Sequence, residues 1–471
     1  MRDEDGRDTG HGGADGGPAD PVPRNGADRC AAVPATWLRA AAYRGEGAGP
    51  EKPRLVLGIV PLTDCAPLVV AREKGFFRAH GLEVTLSQEP SWANIRDKVA
   101  VGLLDGAQML APMPLAASLG IGALDTPMCT ACTLDLNGNA ITVSNALHAR
   151  LCAADPEAMA QRPVSARALR RVIEADRRAG RARLTFAQVF PTSTHNYQLR
   201  YWLASAGIDP DRDVRLTVVP PPRMVAHLEA GHIDGYCVGE PWNTRAVQAG
   251  LGQVLITSYE LWNNNPEKVF GVTRAWAERH PETHRAVVMA LLEANAWLDR
   301  PENRLEVARL IAVPHYVDAP PESVSPSLTG AFRYGPQGPV AAQADFNVFF
   351  RYAATYPWPS HALWFLSQMI RWGQLDRPVN LEAVAREVYR ADLYREAAAA
   401  LGVAYPTVDV KPEGVHAAGW TLHGATAPIA MGADRFFDGR VFDPRRPLEY
   451  LGQFEVHHAR LSAAALAGAN D

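Results

Sequence analysis

Lysine is scarce in this chain: only five of its 47 lysine and arginine residues are lysine, at positions 52, 74, 98, 268 and 411. Against so strong a leaning to arginine, a lysine that persists suggests a place where a compact point charge serves better than a planar fork. Net charge is equally modest. At −4 the chain has no general attraction for nucleic acid or anionic lipid, so any anion chemistry has to come from a local site. No apolar run approaches the length of a membrane-spanning helix. Six cysteines, at 30, 65, 129, 132, 152 and 237, are too scattered for a disulfide framework and suit reduced, mostly buried thiols. Cys129 and Cys132 have the spacing of redox and zinc sites, but no second cysteine or histidine pair stands at a zinc-like distance. There is no H-E-x-x-H cluster and no phosphate loop, and the GEGAG of 46–50 opens no helix and reads as linker. The N-terminal MRDEDGRDTGHGGADGGPADPVPRNGAD lacks the cationic start and apolar run of a signal peptide, and Cys30 follows Ala-Asp-Arg rather than a lipoprotein pattern. Residues 1–51 read as disordered and the protein as cytoplasmic.

What is present is an α/β pattern that repeats. With 47% hydrophobic and 21% charged residues the chain can bury two or three cores. Strand 54–60, helix 66–80, strand 82–87, helix 91–103 and strand 106–110 form a βαβαβ run, and the same order returns as strand 184–190, helix 194–206, strand 214–219, helix 222–230 and strand 235–238. The last step repeats in letters, since GLLDGAQMLAPM (102–113) aligns without gaps on GHIDGYCVGEPW (231–242). Two β-branched segments, LNGNAITVSN (136–145) and EKVFGVTRAW (267–276), link the units. Two lobes joined by two crossings make a hinged clamshell with the ligand in its cleft. The expected division is 52–142 for the first part of lobe 1, 143–270 for lobe 2, and 271–471 for the return to lobe 1 with a C-terminal helical extension. Within that extension, the aromatic stretch FNVFFRYAATYPWPSHALWFLSQMIRWG reads as helical core.

In open α/β sheets ligands lie beyond the carboxyl ends of the strands, so the loops there deserve scrutiny. Ser91 in PSWANIRDKV is a helix N-cap, which puts Trp92 in a first turn beside free N–H groups that favour anions. Trp92 offers an indole N–H, His195 a ring donor, Asn137 and Asn139 amides, and Gly239 a backbone N–H reachable without meeting a Cβ. Lys268 stands at the start of the return crossing, with Asp64 and Glu240 as the nearest carboxylates. Each residue taken singly reads more readily as structural than as functional. Together they offer one positive charge and several neutral donors, an inventory suited to a small planar monoanion; a doubly charged oxyanion would call for an arginine fork or a second cation.

The segments LTDCAPLVVAREKGFF, SWANIRDKVAVGLLDGAQMLAPMPLA, LNGNAITVSN, RYWLASAGIDPDRDV, VPPPRMVAHLEAGHIDGYCVGEPWN and FFDGRVFDP resemble the nitrate-binding proteins of ABC transporters, and more closely the cytoplasmic NasS-type nitrate/nitrite sensors. The resemblance covers roughly 52–457. It implies a type II periplasmic-binding-protein fold with helical elaboration, no enzymatic activity, no cofactor and no metal. It also implies nitrate or nitrite as ligand, held by Trp92, Asn139, a donor in the 191–195 loop, Gly239 and Lys268. Asn139 stands where exported receptors carry Gln, and in the loop the family histidine aligns nearer Thr192 than His195, so either residue can be the donor. As partner it implies a NasT-type antiterminator, with RNA contact left to that protein and no membrane contact. Two alternatives remain: the substrate-binding subunit of a nitrate ABC transporter, and an enzyme on the same fold such as a thiamine-precursor synthase, for which no clustered Cys/His pattern is present.

Overall fold

The structure, a computed structural model, describes residues 49–122 and 125–461. The expected disordered segment lies outside the described residues as far as residue 48, and so does Cys30. Residues 49–51 belong to the fold: the Glu51 carboxylate accepts from the backbone N–H groups of Glu282 and Thr283 at 3.0 and 2.8 Å and so caps the helix Pro281–Leu298.

Two sheets carry the architecture. Strands β1 (Arg54–Ile59), β2 (Glu83–Gln88), β3 (Gly106–Leu110) and β4 (Met128–Asn137) belong to the first, and β5 (Asn139–Ser144), β6 (Thr185–Gln188), β7 (Arg215–Val218), β8 (Gly235–Gly239) and β9 (Gly252–Thr257) to the second. The chain then returns to the first sheet with β10 (Pro266–Thr273) and, after a hairpin of β11 (Ala331–Arg333) and β12 (Val340–Ala342), with the two-residue β13 (Asn347–Val348). The strand orders are β13-β4-β10-β3-β1-β2 and β7-β6-β8-β5-β9. In each sheet three strands run parallel, β1 with β2 and β3, β6 with β7 and β8, and the crossing strands complete it antiparallel. The layout is the periplasmic-binding-protein arrangement that the resemblance implies, with the chain crossing at Gly138 and again between Thr257 and Pro266.

The repeated letters have a structural reason. Asp105 and Asp234 each close the junction between helix and last parallel strand: Asp105 accepts from Val56 N and Asp234 from Thr185 N, at 2.9 and 2.8 Å, while their own N–H groups donate to the carbonyls of the same residues. The glycine that follows is forced by crowding. A Cβ on Gly106 would stand 2.7 Å from the Phe270 ring, and one on Gly235 would stand 2.8 Å from both the Phe186 ring and the Thr142 carbonyl oxygen.

The extension differs from the single helical stretch expected over 346–373. Helix begins only at Pro359 and ends at Arg371, because Pro357 and Pro359 bias the residues before them toward extended backbone and Pro359 itself serves as a first helical residue. The preceding part forms β13 against β4 and a turn with Tyr352 and Ala353 in the left-handed region. This extension touches both lobes. On the first lobe, Tyr389 Oη donates to Ala111 O and Arg377 to Leu119 O, at 2.8 and 2.7 Å. On the second, Tyr197 Oη donates to Gln374 and Tyr201 Oη to Asp438, at 2.7 and 3.1 Å. Between them Trp262, at the second crossing, stacks on Phe436 with centroids 4.6 Å apart and donates to Asp434. Among the described residues no helix is long and apolar enough to cross a membrane.

Candidate functional site

Two capped helices point their first turns at the junction between the sheets. Ser91 accepts from Asn94 N and opens the helix Trp92–Ala100 in the first lobe. Ser193 accepts from Asn196 N at 3.0 Å and opens the helix Thr194–Ser205 in the second, which places His195 in its first turn. Asn139 is the first residue of β5 and pairs in register with Gly239, the last of β8. A Cβ on Gly239 would lie 3.4 Å from both Asn139 Oδ1 and Asp64 Oδ2, so the backbone there approaches the other polar groups closely. Lys268 arrives on β10, with its Nζ 5.4 Å from the Trp92 ring centroid. Trp92, Asn139, His195, Gly239 and Lys268 thus converge from both lobes, and all are buried. Thr192 is buried in the loop ahead of Ser193, and His195 Nδ1 stands 3.5 Å from Glu267 Oε1.

The lysine is not a free cation. Its Nζ lies 2.7 Å from Asp64 Oδ2 and 2.5 Å from Glu267 Oε1, and its backbone N–H donates to Asp135 at 3.0 Å. Asn139 Nδ2 donates to the other Glu267 oxygen at 2.7 Å and to Gln198 at 3.2 Å. Gln108 donates to Asp64. Burial works against the Lys268 ammonium, but Asp64, Glu267 and Asp135 outweigh it and hold the group above its usual range. The acids are pushed up: burial raises Asp64 and Glu267 against the pull of Lys268, and burial with the neighbouring Asp64 charge raises Asp135 furthest. Burial, then Lys268, keeps the His195 imidazole well below its usual value and therefore neutral.

Several buried polar atoms here have no hydrogen-bond partner: Trp92 Nε1, both His195 ring nitrogens, Thr194 Oγ1, Asn139 Oδ1 and Glu240 Oε1. An orphaned buried donor costs about 1–3 kcal/mol. Of these atoms the Trp92 indole N–H, the Thr194 hydroxyl and the single N–H of a neutral His195 can donate, and an incoming anion removes their cost, whereas Asn139 Oδ1 is an acceptor that an anion does not satisfy. The donor set is joined to the crossings by an asparagine network: Gln198 donates to Asn265, and Asn265 donates to Asn137 Oδ1, Ser258 O and Trp262 O. Asn137 donates in turn to Asn264, whose amide reaches Ala433 O in the extension.

Glu267, Asp135, Gln108 and Gln198 escape a reading of the sequence. Strand alternation puts neighbours on opposite faces, which separates Glu267 from Lys268, whereas register shifts on both sides of Lys268 against β4 bring the two side chains to one site. The Cys129 and Cys132 pair lies inside β4, where burial pushes the Cys129 thiol up to about 11 and the Cys132 thiol higher still, so these are inert core thiols.

The NMT1-like family profile matches residues 48–312. The nitrate/nitrite binding protein NrtA of a Nostoc species is 34% identical over 86% of this chain and 86% of its own length. The nitrate import ATP-binding protein NrtC of Synechocystis is 43% identical over 87% of this chain, which spans only 56% of that protein. Among solved structures, the periplasmic nitrate-binding protein NrtA of Synechocystis superposes with a TM-score of 0.75 at 32% identity, over 87% of this chain and all of that one.

Proposed function

Because the chain belongs to the NMT1-like family and groups there with the NrtA-like nitrate-binding proteins, we propose that it is a cytoplasmic nitrate/nitrite sensor. It binds the anion in the buried cluster without turning it over, and binding releases an RNA-binding antiterminator of NasT type, so that nitrate assimilation genes respond to the ligand. The observation that carries the binding half is the set of enclosed donors without partners, Trp92 Nε1 and the His195 ring, beside Lys268 and Asn139. A small planar monoanion suits neutral donors and a single ammonium, whereas sulfate or phosphate would bring additional charge into the enclosure without compensation. What supports the sensor half is the resemblance of the quoted motifs to NasS-type proteins. Ligand that favours one arrangement of the lobes weakens a partner that favours the other.

The relatives favour a second reading, a substrate-binding subunit of a nitrate ABC transporter, since NrtA aligns with this chain over most of its length. Calorimetric titration with nitrate, nitrite and sulfate tests the binding half; sulfate binding as tight as nitrate would overturn it. Co-purification with the antiterminator, with and without nitrate, tests the sensor half together with cell fractionation. A complex indifferent to nitrate, or recovery of the protein from the periplasm, would favour the transporter subunit.

A further inference from the structure

Glu267 is a carboxylate seated among the donors that would hold an anion. Its side chain ends in a planar group whose single negative charge is shared by two oxygens, matching the O–N–O edge of nitrite or nitrate in shape and charge. The groups around it are those an external anion would use: Lys268 Nζ lies 2.5 Å from Oε1, Asn139 Nδ2 donates to Oε2 at 2.7 Å, and His195 Nδ1 stands 3.5 Å from Oε1. The titratable surroundings come from every packed element. Asp64 faces the cluster from the turn after β1, Asp135 from β4, Cys237 from β8 and His195 from the second-lobe helix. Among these groups Lys268 is the sole cation, and all of them are buried. A second negative charge placed beside an ionised Glu267 would have neither water nor a further counter-ion.

We propose that Glu267 is an intrachain stand-in for the bound anion, occupying its donors in the ligand-free protein and giving them up to nitrate or nitrite only when a proton from solvent neutralises it. The inference rests on the anion-binding reading of this site. Charge balances, because the enclosure gains one proton and one monoanion together. The proton goes to Glu267 rather than to its neighbours for geometric reasons. Asp64 stays paired with Lys268 Nζ and Gln108, and Asp135, though raised furthest, is held by Lys268 N and by Asn347 Nδ2 at 3.0 and 3.3 Å, so a proton there frees none of the donors the ligand needs. Glu267 is the carboxylate that engages both Lys268 Nζ and Asn139 Nδ2, donors the ligand takes over, whereas Asp64 shares only the lysine. His195 stays neutral for the reasons given above, so it supplies no compensating charge, and burial already biases the Glu267 carboxyl toward its protonated form. Glu267 then sets affinity and its pH dependence, while Lys268 and the neutral donors set which anion fits.

Sodium nitrate titrated calorimetrically into the full chain, in buffers of differing ionisation enthalpy at one pH, reads the proton directly. Uptake of about one proton per nitrate is expected, with affinity falling about tenfold per pH unit on the alkaline side. The isosteric Glu267→Gln keeps the shape and removes the charge; it is expected to bind nitrate about tenfold or more tighter at about pH 8, with no proton uptake and no such slope. Nitrate binding to the unaltered protein without proton uptake would overturn the inference and leave the anion-binding reading standing. Loss of binding in Glu267→Gln without proton uptake by the unaltered chain would instead make the carboxylate a required partner, which also overturns it. No nitrate binding by either protein at any pH would overturn the inference and the reading beneath it. Should the variant fail to fold, proton uptake by the unaltered protein decides alone.

Discussion

An indole N–H buried without an acceptor, as at Trp92, is a donor whose desolvation is uncompensated. Trp92→Phe removes that donor and keeps an aromatic ring against Lys268. The free variant should lose little stability, since the void left by the smaller ring is offset by deletion of an unsatisfied group. Nitrate affinity should fall about tenfold or more, the value of a hydrogen bond to a charged partner. Equal affinity in calorimetry would return Trp92 to packing alone. Glu240 makes a different prediction. Burial pushes its carboxyl up to about 7, so between the ordinary carboxylate range and that value the folded chain keeps a proton the unfolded chain has lost. The associated stability is present at low pH and is lost as pH rises through about 7, amounting to about 3 kcal/mol. Glu240→Gln cannot ionise, so its melting temperature relative to the unaltered protein should rise between about pH 5 and about pH 8. A constant difference across that range would remove Glu240 as the titrating group.

At the scale of elements, the duplicated Asp-Gly step closes the same helix-to-strand junction in each lobe, and it is the part most open to test by single substitutions. Gly235→Ala forces a Cβ against the Phe186 ring and the Thr142 carbonyl and should cost about 1–3 kcal/mol by overpacking. It should also weaken anion binding, because β8 ends four residues later at Gly239. Gly231→Ala, at a helix end with φ of 68° and open space around it, should cost about 1 kcal/mol and leave binding alone. Equal melting temperatures for the two variants would show that β8 yields to the methyl group. This same step explains why so much of the fold is legible in the letters: periodicity, caps and two similar runs mark every parallel strand and the helices that carry Trp92 and His195. The acid partners are not legible, because Glu267 and Lys268 share a site only through the register shifts of β10, which no local pattern announces. Nor is β13, whose two residues are too few to show alternation and whose place is set by β4 alongside it.

The whole molecule is less free to hinge than two crossings alone would suggest. The extension is bonded to the first lobe through Tyr389 and Arg377 and to the second through Tyr197 and Tyr201, and Asn264 ties the crossing itself to Ala433. A lobe movement that admits a ligand therefore has to loosen part of this brace. With Trp92, Asn139, His195, Glu267 and Lys268 all buried, binding should be gated by that opening. In stopped-flow mixing, followed by indole fluorescence, the observed rate should level off as nitrate concentration rises, at the opening rate. A rate that climbs linearly toward the diffusion limit would mean the cluster is accessible without movement. The brace also governs the exit. An anion enclosed behind it leaves no faster than the same opening permits, so occupancy outlasts the anion pulse that produced it. A shape held in this way carries a short record of recent supply, and any response coupled to it would lag behind the fall in ligand rather than follow it instant by instant.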